Sequence, residues 1–235
     1  MQLAREKLSN LERRAKVSLA ENVVPYINRM LNTKDMEYVA ELSAEILHIN
    51  DTLTEWIQVK HGKVAMNIST FPLRPLLETI AKNSTTYRRK GLTFEVQSID
   101  DVCVKADRAL TLFMINTLCD NARKFTPEGG KVSIVVKYDN CVVEISVCDT
   151  GCGQKKKKQE MINNSKVFRI ASAPGTDEQA SEDGRGFGFG LLNCKGIIGQ
   201  MKKMSDRFQC CDFGVESTEG KGSRFWFRLP RVVCM

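Results

Sequence analysis

The sequence predicts an α+β protein, with two long N-terminal helices followed by a two-layer α/β sandwich. Two observations lead there. Residues 5 to about 60 read as two long helices, their apolar side chains forming stripes at helical spacing. From about residue 71, runs of alternating apolar and polar side chains interleave with helical runs, the pattern of a sheet covered by helices.

In the second N-terminal helix Val39, Leu42, Ile46, Ile49, Leu53 and Trp56 step by three and four, a heptad seam. Val17, Ala20, Val24, Ile27 and Leu31 do the same in the first, with Leu19, Val23, Tyr26 and Met30 in a second stripe beside them. An Asn-Thr-Lys-Asp turn at 32–35 joins the two as an antiparallel hairpin. One hairpin cannot bury that much apolar surface, so pairing into a four-helix bundle, and hence a homodimer, is expected. Pro25 interrupts the first helix at a cost of roughly 3 kcal/mol in a helix interior, which calls for a reason.

The sandwich elements follow in order. A helix is expected over 73–86, strands over 92–98 and 102–106, and a helix over 109–125. Strands at 131–138 and 141–149 flank the turn residues Asp139 and Asn140. After a long polar segment come a helix at 190–204 and a final strand at 223–230.

The composition removes several alternatives. A chain of 235 residues, 42% hydrophobic and 27% charged, is ordinary for a globular protein. The net charge is +7, but Lys and Arg are scattered apart from Lys155 to Lys158, so no nucleic-acid surface is expected. No apolar run reaches the roughly 18 residues of a membrane span, so any membrane attachment would come through segments outside this chain. Nine cysteines, an odd number without a CxxC pair, read as reduced thiols, and Cys103, Cys119, Cys141 and Cys148 lie in apolar segments. His48 and His61 are too few to make a metal cluster.

Three stretches carry chemistry. The first, DNARKFTPEGG at 120–130, closes an apolar helix and sets Asn121 and Lys124 three residues apart on one face. An amide oxygen can ligate Mg²⁺ and a lysine can neutralise phosphate, although a polar helix end reads the same way. The second, DTGCG at 149–153, follows a buried-looking strand. A carboxylate there, Asp149, can accept from an exocyclic amine, while Gly151 and Gly153 let backbone pass close beneath a flat ring. The third, GRGFGFGLLNCKGII at 184–198, alternates Gly186, Gly188 and Gly190 before a helix, as a phosphate cradle does. It is neither a P-loop nor a dinucleotide fingerprint.

In this order the three stretches resemble the N, G1 and G2 boxes of the ATP-binding superfamily of histidine kinases, Hsp90-type chaperones, MutL and type II topoisomerases. GKGSRFWFRLP at 220–230 is similar to the histidine-kinase form of the last strands, where Ser223 would lie near adenine. The resemblance implies Mg²⁺ and ATP as cofactors, with Asn121 on the metal, Lys124 on phosphate, Asp149 on the adenine amine and Gly151 and Gly153 flooring the base. Gly186, Gly188 and Gly190 would cradle the phosphates. It implies a lid at about 154–185, with Phe168 as its aromatic. Where the family carries an Asn four residues before the metal Asn, this chain has Thr117, with Asn116 one step off.

The segment 56–77 resembles the link between the dimerisation and catalytic domains of sensor histidine kinases. The implied division is a dimerisation and phosphoacceptor-like hairpin at 1–65 and a catalytic ATP-binding domain at 66–235. The first helix of that family carries His-Glu-x-x-Thr/Asn-Pro. Here Pro25 and Glu21 align, but the phosphoacceptor position is Ala20 and the Thr/Asn position Val24. Pro25 is thus the loosened turn beside a missing nucleophile, and autophosphorylation at position 20 is not expected. The hairpin is also shorter than the family's. The expected protein is the cytoplasmic core of a sensor histidine kinase-like two-component protein, its partners a response regulator or a histidine-bearing kinase. The alternative is a degenerate kinase acting as an ATP-responsive scaffold. An ATPase or serine kinase on the same fold is a third, against which the long hairpin argues.

Overall fold

Hydrophobic alternation dictates the sheet. In β4 (Lys131–Tyr138) Val132, Ile134 and Val136 are buried, and in β5 (Val142–Asp149) so are Val143, Ile145 and Val147. Side chains two apart share a face, so one face of each strand enters the core. The computed structural model describes residues 23, 27–31, 36–62, 64–82, 84–97, 102–154, 156–163 and 189–233.

The element order is α1 (Met36–Lys60), β1 (Ile68–Pro72), α2 (Arg74–Lys82), α3 (Thr85–Arg89), β2 (Thr93–Val96), β3 (Cys103–Asp107) and α4 (Arg108–Phe125). Then follow β4, β5, α5 (Lys156–Asn163), α6 (Phe189–Lys202), a 3₁₀ turn (Asp206–Phe208), β6 (Asp212–Thr218) and β7 (Gly222–Val232). The mixed sheet runs β1-β3-β7-β5-β4-β2, with β6 paired to β7. Only β2 with β4 is parallel among these pairings. Phe225, Phe227 and Leu229 of β7 and Phe213 and Val215 of β6 continue the apolar face, against which α4 and α6 pack Leu110, Phe113, Met114, Leu118, Cys194, Ile197 and Met201. One helical layer on one sheet is the α/β part of the expected fold.

Several elements differ from the sequence reading. The helix expected over 73–86 is two, α2 and α3, because the chain turns at Ser84, which begins α3. β1, β6 and α5 were not expected as elements. In β6 Gly214 makes room for an indole, since a Cβ there would meet Trp226 at 2.4 Å. The Arg228 guanidinium lies over that ring, 4.7 Å from its centroid. The amide of Asn163 on α5 brackets β6: its Nδ2 donates to the Val215 carbonyl at 3.0 Å and its Oδ1 accepts from the Val215 amide at 3.0 Å. That contact occupies backbone groups an edge strand would otherwise offer to another chain. Cys103 is disulfide-bonded, which corrects the reading of all thiols as reduced; Cys119, Cys141, Cys148, Cys152, Cys194, Cys210 and Cys211 are free.

The N-terminal hairpin falls largely outside the described residues, Ala20, Glu21, Val24, Pro25 and the 32–35 turn included. Residues 27–31 are helical, and Ser43 on α1 reaches Met30 with an O···S distance of 3.9 Å. The heptad seam of α1 divides along its length. Its last members Leu53 and Trp56, together with Val59, are buried in the core of the same chain. Trp56 Nε1 donates to Asn193 Oδ1 on α6 at 3.3 Å. Nearer its start the seam residues Val39 and Ile46 are half-buried, while Leu47 beside the seam, and Ile27 and Leu31 before α1, are exposed.

Candidate functional site

Three pieces of chain meet at one end of the sheet. The first is the C-terminal end of α4. The helix is started by Asp107, whose Oδ1 accepts from the Leu110 amide at 3.1 Å and whose Oδ2 accepts from the Asn67 amide at 2.9 Å. This N-cap is 2% exposed, so the helix origin is fixed to the chain before β1. Thr117, Asn121 and Lys124 step by four and three along one stripe of α4. Thr117 hydrogen-bonds Cys194 of α6, a thiol that burial pushes up to about 12. Asn116 lines a small cavity with Tyr87, Cys119 and Arg123 instead. Thr117 thus shares the stripe of Asn121 with its hydroxyl engaged by Cys194, while Asn116 lies off that stripe. Asn121 is half-buried and Lys124 exposed, its Nζ 5.2 Å from the Phe125 ring centroid.

The second piece is the end of β5. Asp149 Oδ1 accepts from the Gly151 amide at 2.8 Å and from the Ser223 amide at 3.2 Å. Partial burial raises its carboxyl above the usual aspartate range, and the two amides offset part of that. Both amide bonds fall on Oδ1, which leaves Oδ2 for an external donor. The loop beyond Asp149 lies against α4, with the Cys152 amide donating to the Phe125 carbonyl at 3.3 Å. A Cβ on Gly151 would come within 2.5 Å of that same carbonyl. At Gly153 φ is +66° and a Cβ would meet the Thr218 carbonyl at 2.0 Å. Both positions admit only glycine without a backbone shift.

The third piece is the β6–β7 hairpin. Ser223 lies opposite Asp149 in the strand register and its hydroxyl is 3.0 Å from that of Ser217. The Ser217 hydroxyl accepts from the Gln154 amide at 2.7 Å, and the Gly220 amide donates to the Cys152 carbonyl at 2.8 Å. Gly222, which the sequence reading passed over, has φ +111° and no room for a Cβ, the Asp149 carbonyl being 1.9 Å from that point. A glycine directly before Ser223, the residue opposite the strand-end aspartate, was the signal that could have found it. Of the third glycine stretch, Gly190 is buried in the first turn of α6, while Gly186 and Gly188 lie outside the described residues, as does Phe168.

A half-buried carboxylate next to two glycines that admit no side chain, near a helix end bearing an amide and a lysine, offers an acceptor for an exocyclic amine and a cation for a charged tail. The family model for histidine kinase-, DNA gyrase B- and HSP90-like ATPases matches residues 106–233. The chain belongs to that family.

Among curated proteins this ATPase-family chain is similar to the adaptive-response sensory kinase SasA of Gloeothece citriformis (strain PCC 7424), 30% identical over 200 residues. The match takes in 84% of this chain and 45% of that protein, so the chain spans about half the length of the relative. Among solved structures it is similar to full-length ShkA in complex with AMPPNP, with TM-score 0.56, 19% identity and coverage of 99% of this chain and 46% of that one. The catalytic domain of histidine kinase ThkA gives TM-score 0.52 and 23% identity, covering 70% of this chain and 96% of that one. These likenesses concern the fold. Among the described residues no helix is long and apolar enough to cross a membrane.

Proposed function

We propose that this chain is the Mg·ATP-binding core of a sensor histidine kinase-like two-component signalling protein, and that it does not phosphorylate itself at the usual position. The observation that carries the first half is Asp149, half-buried at a strand end with Oδ2 outside its two backbone bonds and with Gly151 and Gly153 beside it. In this reading Asp149 accepts from the adenine amine, Gly151 and Gly153 floor the base and Ser223 lines it. Lys124 meets the phosphates, which Gly186, Gly188 and Gly190 cradle. Asn121 supplies one oxygen to Mg²⁺. Among the described residues no group of three or more His, Cys, Asp or Glu could hold a metal. A Mg²⁺ carried mostly by substrate phosphates and water, with one protein ligand, agrees with that donor set.

The second half rests on Ala20, which has no atom that can attack a phosphoryl group, and on Val24 where a polar residue would orient water. Glu21 then has no imidazole to assist. Dimerisation through the N-terminal helices agrees with the exposed Ile27, Leu31 and Leu47. Partners are a response regulator or a histidine-bearing kinase, and the setting is cytoplasmic. A scaffold role, in which ATP alters binding without transfer, is the second reading that Ala20 favours. Mixing with a histidine-bearing relative separates the two: phosphate on the partner means an enzyme, and binding without transfer means a scaffold.

The binding test is titration calorimetry with ATP, with and without Mg²⁺. The chain should bind ATP more tightly with Mg²⁺ present, and Asn121→Ala should lose that dependence, weakening Mg·ATP about tenfold, or roughly 1.4 kcal/mol. Equal binding by both proteins with Mg²⁺ present would remove Asn121 from the metal. Incubation with γ-labelled ATP should leave no acid-labile phosphate on the chain; a labelled chain would overturn the second half.

A further inference from the structure

Every α-helix ends with carbonyls that have no partner inside the helix, and each must find one elsewhere. At the end of α4 these partners are unusual. The Ala122 carbonyl takes the Thr126 amide at 3.0 Å and the Thr126 hydroxyl at 2.6 Å. The Phe125 carbonyl takes the Cys152 amide of the 149–153 loop. The carbonyls of Arg123 and Lys124, and that of Thr126 just beyond, all accept from one group, the Lys90 ammonium. The distances to the Lys124 and Thr126 oxygens are 3.1 and 2.8 Å. A lysine ammonium has three donors, and three carbonyls take them.

The backbone that delivers Lys90 is itself fixed. Its amide donates to the Tyr87 carbonyl at 2.9 Å, and so does the Leu92 amide, at 3.0 Å. Tyr87 is buried and stacked on Phe94, ring centroids 4.0 Å apart. Gly91, at φ +68°, turns the chain so that its carbonyl accepts from the Gly129 amide at 2.9 Å. A cation suits the negative end of a helix dipole. Yet partial burial and the neighbouring Arg123 both lower the Lys90 pKa, so this ammonium is held against a cost. An exposed helix end could give the same carbonyls to water without that cost.

We propose that Lys90 is a positioning residue of the nucleotide site, fixing the last turn of α4 and through it the origin of the Lys124 side chain. It touches neither base nor phosphate. Holding the Lys124 carbonyl fixes the backbone from which that exposed side chain springs, so less of its freedom is lost when a phosphate arrives. The inference rests on the reading of Lys124 as a phosphate contact.

The test is a double-mutant cycle read by ATP titration calorimetry in Mg²⁺ on the full chain, with circular dichroism as a check of folding. Lys90→Met should weaken ATP about fivefold to tenfold, and Lys124→Ala about tenfold or more. The double variant should bind within about twofold of Lys124→Ala alone, because Lys90 has nothing left to position. Lys90→Arg, which keeps charge and donors, should recover most of the affinity. A merely structural lysine would give costs that multiply in the double variant, and that result overturns the inference, as does wild-type affinity in folded Lys90→Met. If Lys90→Met does not fold, Lys90→Gln carries the same cycle. An unchanged ATP affinity in Lys124→Ala would instead sink the reading of Lys124 itself, and the inference with it.

Discussion

Asp149→Ala should lose ATP by a factor of 100 or more while the chain remains folded. Two contributions add. A charge-assisted hydrogen bond to the adenine amine is worth about 1.5–3 kcal/mol. The second is the support that Oδ1 gives to the Gly151 and Ser223 amides, without which the base pocket loses its shape. Calorimetry with ATP and with GTP checks it: wild type should prefer ATP strongly, and the variant should bind neither well. Retained ATP affinity within about threefold would remove Asp149 from the site. The pH dependence has a definite sign. Burial raises the Asp149 pKa, and the ionised form is the better acceptor, so ATP affinity should fall on acidification, beginning at a higher pH than for an ordinary aspartate near 3.9. Stability of the empty protein runs the other way. A raised carboxyl favours folding below its unfolded value, and that contribution is lost as pH rises through the folded value.

Gly153→Ala should add one of the two most damaging single methyls in the site, with Gly222, costing on the order of 3 kcal/mol in urea denaturation and abolishing nucleotide binding. The positive φ of +66° alone disfavours an L-side chain. Steric overlap costs more, since the new Cβ would lie 2.0 Å from the Thr218 carbonyl. That oxygen belongs to the β6–β7 hairpin, which carries Ser217 and Ser223, so relief of the clash must move the wall that faces Asp149. Gly129→Ala is the control. It has φ +79° but nothing within 4 Å of the added atom, and should cost only the conformational strain, about 1 kcal/mol. Equal losses for the two variants would place the cost in backbone strain and not in the site.

The sheet was legible wherever strict alternation met β-branched residues. β4 occupies the expected 131–138, and β5 and β7 lie within two residues of expectation. β6 was not, because Asp212, Gly214, Glu216 and Ser217 leave few apolar positions, and Gly214 answers to an indole twelve residues away. β1 is five residues ending in Pro72 and resembles linker. α5 lies where the resemblance implied a lid, and only the bonds of Gln159 and Asn163 to Val215 show why a helix packs there. Local motifs pointed to Asn121, Lys124, Asp149, Gly151 and Gly153 because each stretch is contiguous. Gly222 and Lys90 escaped because their partners are distant in the chain: the Gly222 Cβ space is filled by Asp149, and Lys90 serves carbonyls more than thirty residues away.

The burial of Leu53, Trp56 and Val59 bears on how the molecule can be divided. A recombinant fragment begun at residue 66 would remove an indole that is 1% exposed together with its hydrogen bond to Asn193, opening a hydrophobic trough along α6. Such a fragment would be sticky at high concentration. Conversely, Trp56 ties the last turns of α1 to Asn193 of α6, so a displacement of that end of α1 has to be taken up by α6.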